Sequence, residues 1–132
     1  MNWKLIFTLS LFGLAMAIAT VFWIPSGIEP LFWLAIFILC AWLIAGKCAG
    51  RYFLHGLFTG LANCVWITST HILLFDTYVA NHVSEAAMLN KMPLPDSPRL
   101  MMLMTGILIG IISGLVLGGF SVIAWKIRQR KK

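Results

Sequence analysis

Four long apolar runs, separated by short polar clusters, set the plan of this chain. The runs extend from Leu5 to Ile24, Leu31 to Gly46, Tyr52 to Phe75 and Leu100 to Trp125. Each is close to the length that a helix needs to cross a hydrocarbon layer about 30 Å thick. The pattern therefore predicts an all-α integral membrane protein, a four-helix up-down bundle in one domain covering residues 1–132. The second run is short, about 24 Å as a helix, so Lys47 is expected to snorkel or the bilayer to thin beside it. The turns "PSGIEP" and "KCAGR" are tight, which leads us to expect spans one, two and three to lie as sequential neighbours.

The segment from Asp76 to Arg99 forms the predicted outer loop. Val79, Val83, Ala86 and Leu89 fall at helical spacing, which predicts a short interfacial helix or an extension of the third span. Pro93, Pro95 and Pro98 forbid regular helix after it, and Asp96 or Ser97 before Pro98 is a start signal for the fourth span.

Within the fourth run, Gly106, Gly110, Gly114 and Gly118 recur at every fourth position. Such a bare ridge admits another backbone, and it gains van der Waals contact where lipid leaves no hydrophobic force between helices. The third run carries a matching strip, Gly56, Gly60, Cys64 and Thr68. Antiparallel pairing would put Gly56 and Gly60 opposite Gly114 and Gly118. The alternatives are contact with a second copy or partner subunit, and a lipid groove or pore.

Composition agrees with the membrane reading, because 61% hydrophobic and 11% charged residues are too apolar for a soluble globule of 132 residues. Charge then sets orientation. With the N-terminus inside, Lys4, Lys47, Arg51, Lys126, Arg128, Arg130, Lys131 and Lys132 are cytoplasmic, and only Lys91 and Arg99 are outside. Glu29, Asp76, Glu85 and Asp96 all fall outside. The net charge of +6 is thus a topology signal with a basic tail and gives no case for nucleic acid as a partner. A signal peptide ending at "AMAIAT" is a weaker reading, since the apolar run continues through "VFWI".

Candidate chemistry is sparse. His55, Thr59 and Asn63, with Thr68 and His71 farther along, mark a candidate polar track on the third span for a solute or a proton. The plainer reading is interhelical hydrogen bonding, since no Asp, Glu, Lys or Arg lies inside any span. A soft-metal site from His71, His82, Glu85 and Met92 is a lesser alternative, suited to copper(I) by its thioether and imidazole donors. Histidines are absent from the first, second and fourth spans, so a bis-histidine haem across two helices has no ligands. Cys40, Cys48 and Cys64 offer no close redox pair, and nucleotide, zinc and nucleophile motifs are absent. No cofactor and no enzymatic activity are expected. The expected role is an accessory or structural subunit of a homo-oligomer or larger membrane complex, with a small channel or transporter as the alternative.

The four spans, the "FLHGLFTG" opening of the third helix and the long outer loop with its tyrosine and histidine resemble a family of small bacterial four-span membrane proteins of unknown function. The resemblance implies a bacterial inner membrane and carries no activity or site residue. Small multidrug transporters share the span number, but the membrane-embedded glutamate of their first helix has no counterpart here.

Overall fold

In the computed structural model, which describes residues 1–130, the chain is all helical, with no strand among the described residues. Its elements are α1 (Trp3–Phe22), α2 (Glu29–Lys47), α3 (Tyr52–Leu73), α4 (Phe75–Asn81), α5 (Val83–Leu89) and α6 (Pro98–Arg130). Three helices, α1, α2 and α6, are long and apolar enough to cross a membrane, and α3 with α4 makes a fourth if that pair is one span bent by 89°. Lys131 and Lys132, the end of the basic tail, lie outside the described residues.

Local chemistry explains where the helices begin and end. Asn2 caps α1 by accepting the Leu5 N–H at 3.1 Å, while its own N–H donates to His55 Nε2 at 2.9 Å and ties α1 to the start of α3. Pro30 sits in the first turn of α2, where its missing N–H has no helical partner to lose. The α2–α3 turn uses Gly50 at φ 154° and Arg51 at φ 52°, a left-handed region that glycine enters without cost and arginine does not. α6 begins at Pro98, and its 33 residues make it about 50 Å long, longer than one bilayer crossing.

The expected third span, Tyr52 to Phe75, is cut short. Its helix ends at Leu73 and the chain turns sharply into α4. The outer segment is thus two short helices with a break at His82, neither a single interfacial helix nor a straight continuation of α3.

At the centre, α3 and α6 run antiparallel with their backbones in contact, and the two small-residue strips meet along their whole length. A Cβ on Gly60 would stand 2.5 Å from Gly114 Cα, and one on Gly56 would stand 2.7 Å from Gly118 Cα. Farther along, a Cβ on Gly110 would meet Cys64 Sγ at 2.6 Å, and Gly106 leaves room for the Thr68 side chain. The register pairs Gly56 with Gly118, Gly60 with Gly114, Cys64 with Gly110 and Thr68 with Gly106.

The neighbours of this pair differ from the expectation that spans one, two and three pack in sequence. α1 lies on α3, α2 lies on α6, and α1 and α2 scarcely touch. A tight turn joins helix ends but does not choose the partner of a helix face. That choice follows small residues again: Gly13 of α1 receives Asn63, whose Cα would be 2.7 Å from a Cβ there. Trp66 Nε1 then donates to Ser10 Oγ at 3.1 Å across the same interface. α1 runs parallel to α3, from the Asn2–His55 contact at one end to Asn81 Nδ2 donating to the Val21 carbonyl at the other.

The end that holds Met1, the α2–α3 turn and Arg130 is here called the terminal end, and the end that holds the α1–α2 turn, α4 and α5 the loop end. Around the terminal end, Leu5, Leu9, Cys40, Ala41, Ile44, Ala45, Leu117 and Ala124 close a buried apolar core from α1, α2 and α6. Tyr52 stacks on Trp125 at 5.1 Å, and the Arg128 guanidinium lies 5.2 Å from the Trp42 ring, over the gap left by Gly46.

The backbone contacts give a position-dependent prediction. Gly60→Leu and Gly114→Leu drive carbon atoms into a facing backbone that has no rotamer to yield, so each should cost at least the ~1–3 kcal/mol typical of overpacking. Gly119→Ala, where an added Cβ meets nothing within 4 Å, should leave stability within a fraction of that. Thermal unfolding of the detergent-solubilised protein checks this, and equal melting of all three variants would contradict the interface.

Candidate functional site

The helices that close at the terminal end diverge toward the loop end. α2 holds α6 through Cys40, Ala41, Ile44 and Ala45 in its last turns, with Phe37 packed on the edge of that core, whereas Trp33 and Leu34 nearer its start line open space. The result is a cleft of about 700 Å³ between α2, α3 and α6, roofed by α4 and α5. Its walls are mainly apolar, with Phe37 on α2, Ile67 on α3 and Ile109, Val116 and Phe120 on α6, and Met88, Leu89 and Met92 above. Leu34, Ile109 and Val116 on its rim are exposed, so the cleft opens sideways between α2 and α6.

The roof is held by the polar residues around the bend. His71 stacks on Tyr78 at 4.4 Å and Tyr78 on His82 at 4.5 Å, a three-ring column that joins the end of α3 to the α4–α5 break. His82 Nε2 lies 3.2 Å from the Ile24 carbonyl and Nδ1 3.1 Å from the Tyr78 carbonyl, and Asn81 Nδ2 donates to the Val21 carbonyl at 2.7 Å. Two side chains of the roof thus take up carbonyls that the end of α1 leaves free.

Polar groups line the cleft at two levels. At the loop end stand Ser26, Glu29, Tyr78 and Glu85, with the Trp33 Nε1–H donating to Glu29 Oε1 at 3.0 Å and the Ser84 hydroxyl to Glu85 Oε2 at 2.7 Å. Burial, together with the nearby charges of Glu85 and Glu29, pushes the Tyr78 phenol up to about 12. Partial burial acts to raise the Glu85 carboxyl, but hydrogen bonds from Ser26 and Ser84, its own backbone N–H and the His82 ring outweigh it, so Glu85 sits below the ordinary value. Deeper, Asn63 and His71 border the cleft. Asn63 is 2% exposed, and among the described residues neither of its amide atoms has a partner and His71 Nε2 is likewise without one. A buried polar group left in this way costs about 1–3 kcal/mol, a strong reason to ask what meets it.

The candidate polar track does not form one line. His55 and Thr59 are spent inside the protein, with His55 Nδ1 facing the Arg51 carbonyl at 2.9 Å, Nε2 accepting from Asn2, and the Thr59 hydroxyl donating to the His55 carbonyl at 2.8 Å. His55 bonds α1 and Asn63 packs on it, whereas Cys64 and Thr68 face α6, with Cys64 Sγ donating to the Gly106 carbonyl. Only Asn63, Thr68 and His71 of the five border the cleft. Of the four soft-metal candidates, His71, Glu85 and Met92 border the cleft, while both ring nitrogens of His82 face backbone carbonyls, and among the described residues no three His, Cys, Asp or Glu side chains form a ligand group.

Sequence reasoning missed Ser26, Glu29, Trp33 and Tyr78 as members of one site. Glu29 and Trp33, one helical turn apart at the start of α2, were a local signal of a fixed carboxylate. Their meeting with Glu85 depends on the 89° turn after α3, which no periodicity announces. Compared with known proteins, the chain matches no family model, no curated protein and no solved structure, so the cleft is read from its own chemistry.

Because the folded Tyr78 pKa lies above the ordinary 10, the neutral phenol contributes stability that is present below pH 10 and lost as pH rises toward 12. Ultraviolet titration should show a late-ionising tyrosine that Tyr78→Phe removes. Glu85 has the opposite sign, since its folded pKa is depressed, so its contribution is present above 4.5 and fades at lower pH. Acid unfolding of Glu85→Gln, compared with the parent, should show the smaller loss over that range.

Proposed function

We propose that this chain is a non-enzymatic, four-span protein of a bacterial inner membrane that acts as an accessory subunit in a homo-oligomer or larger membrane complex, and that it holds a membrane-borne guest in the cleft. In this reading it is an up-down bundle, the third span runs from Tyr52 to about Phe75 with α4 and α5 in the outer loop, both termini are cytoplasmic and the loop end is outside. The basic residues at the terminal end support that orientation. The observation that carries the functional reading is the shape of the cleft: about 700 Å³ that the chain does not fill, open to the side at the loop end and closed by the terminal core. A blind, laterally open space in a bundle suits a guest that arrives through the bilayer.

The transport reading draws support from Asn63, Thr68 and His71, polar residues of α3 that border the cleft. It weighs less, because Leu5, Leu9, Ile44 and Leu117 pack the space through which a solute would have to continue.

Two measurements test the proposal. Cysteine labelling in intact cells should reach a cysteine placed at Glu85 and fail to reach one at Lys47; the reverse would overturn the orientation. Ser113 lies on the cleft wall, and Ser113→Phe puts a ring into the unfilled space. Native mass spectrometry should detect a guest retained by the parent protein in mild detergent and lost from Ser113→Phe, with the helical signal unchanged. A guest retained equally by both proteins would place it elsewhere and defeat the cleft as a binding site.

A further inference from the structure

We propose that the loop-end part of the cleft recognises a lipophilic cation, an ammonium or related onium centre carrying apolar groups. This rests on the reading of the cleft as a guest site and names the chemistry of the guest.

Four observations converge on it. First, the two charged side chains that line the cleft are both carboxylates, Glu29 and Glu85, and among the described residues no lysine or arginine lines it. Second, neither carboxylate has a cationic partner among the described residues, where the ion pair is Arg99 with Asp76. Arg99 also lies 5.3 Å from the Phe75 ring, away from the cleft lining. The neutral donors Trp33 and Ser84 hold Glu29 and Glu85 in place without bringing a positive charge, and the His82 ring that acts on Glu85 turns both nitrogens to backbone carbonyls. Third, Ser26 of the α1–α2 turn, Glu29 of α2, Tyr78 of α4 and Glu85 of α5 line the same cleft, so four elements bring the two acids to its loop end. Fourth, the rings of Trp33 and Phe37 line the same cleft, and Met88 and Ile109 continue the wall with apolar surface.

Each class of guest fares differently there. A cation gains from both carboxylates and from the ring quadrupoles, an attraction that strengthens when water is excluded. An anion of the same shape meets two like charges with no basic residue to offset them. A neutral guest keeps only the apolar contact. His71, more than nine-tenths buried and with no partner for its Nε2 among the described residues, also borders the cleft. It stacks on Tyr78 at 4.4 Å, so a buried polar group without a partner lies beside the acidic rim.

The test uses the full chain in a mild non-ionic detergent and three probes of related shape: tetraphenylphosphonium, tetraphenylborate and neutral triphenylphosphine oxide. Equilibrium dialysis should give saturable binding of the phosphonium that is about tenfold or more tighter than that of the borate or the oxide. Glu29→Gln with Glu85→Gln, which keeps hydrogen-bonding side chains at both positions, should lose most of that preference and leave oxide binding unchanged. Helical content and elution volume confirm that the variant folds, and each single substitution should lose part of the preference if the pair fails to express. Equal affinity for phosphonium and borate, or a double variant that keeps the preference, overturns the cation proposal. If Ser113→Phe still blocks binding in that case, the guest site itself survives. Phosphonium binding that is undiminished in Ser113→Phe defeats the cleft reading as well. Displacement of the phosphonium by phosphatidylethanolamine, and not by phosphatidylglycerol, would assign the cation to an aminolipid headgroup, and resistance to both would assign it to a free amphiphile.

Discussion

Backbone contact between α3 and α6 is the constraint on which the rest of the molecule depends. Helices in lipid cannot gain by hiding apolar surface from water, so they associate where atoms come closest. Four small residues on each helix bring the two backbones to a distance at which no β-carbon fits at Gly56 or Gly60. That pair fixes the faces left for α1 and α2. α3 turns His55, Thr59 and Asn63 toward α1, and α6 offers Leu117 and Ala124 to α2. Since the small residues of α2 that hold α6 are confined to its second half, the first half is free to splay, and the cleft exists because of that asymmetry.

The central register was legible in the sequence because it rests on local facts. A spacing of four on two helices, one read forward and one backward, leaves one alignment that pairs every small residue. Helix neighbours were not legible, because the short connections Pro25–Pro30 and Lys47–Arg51 restrain helix ends and say nothing of which sides meet. Gly13 was the missed signal, a lone glycine in an apolar helix that looked like filler and proved to be the seat of Asn63. The cleft was less legible still. Its rim joins residues from positions 26 to 85, and they converge only because the chain bends between Leu73 and Phe75 and the ring column of His71, Tyr78 and His82 holds the bend.

Polar residues inside the helices divide into two kinds. Ser10, Thr20, Thr59 and Ser121 return their hydroxyls to carbonyls three or four residues back, which hides a polar group at little cost and leaves the outer surface of the helix apolar. Asn63 and His71 do not. The contrast explains why the polar character of α3 read as a track in the sequence while only part of it lies on the cleft.

The attachment of the roof has a mechanical consequence. α4 and α5 hang from the end of α1 through Asn81 and His82, as a cantilever does; α4 meets α6 through Arg99 on Asp76 and Phe75, while the far end of α5 is joined to α6 by the proline-bearing strap from Asn90 to Ser97. Turns hold that strap short, with Lys91, Met92 and Ser97 each donating to the carbonyl three residues back. Undoing them would release slack toward the contour length of an extended eight-residue chain, about 26–29 Å. The free end of α5 can therefore lift from the cleft while the beam stays anchored on α1, and the limit of that lift is set by the reach of the strap.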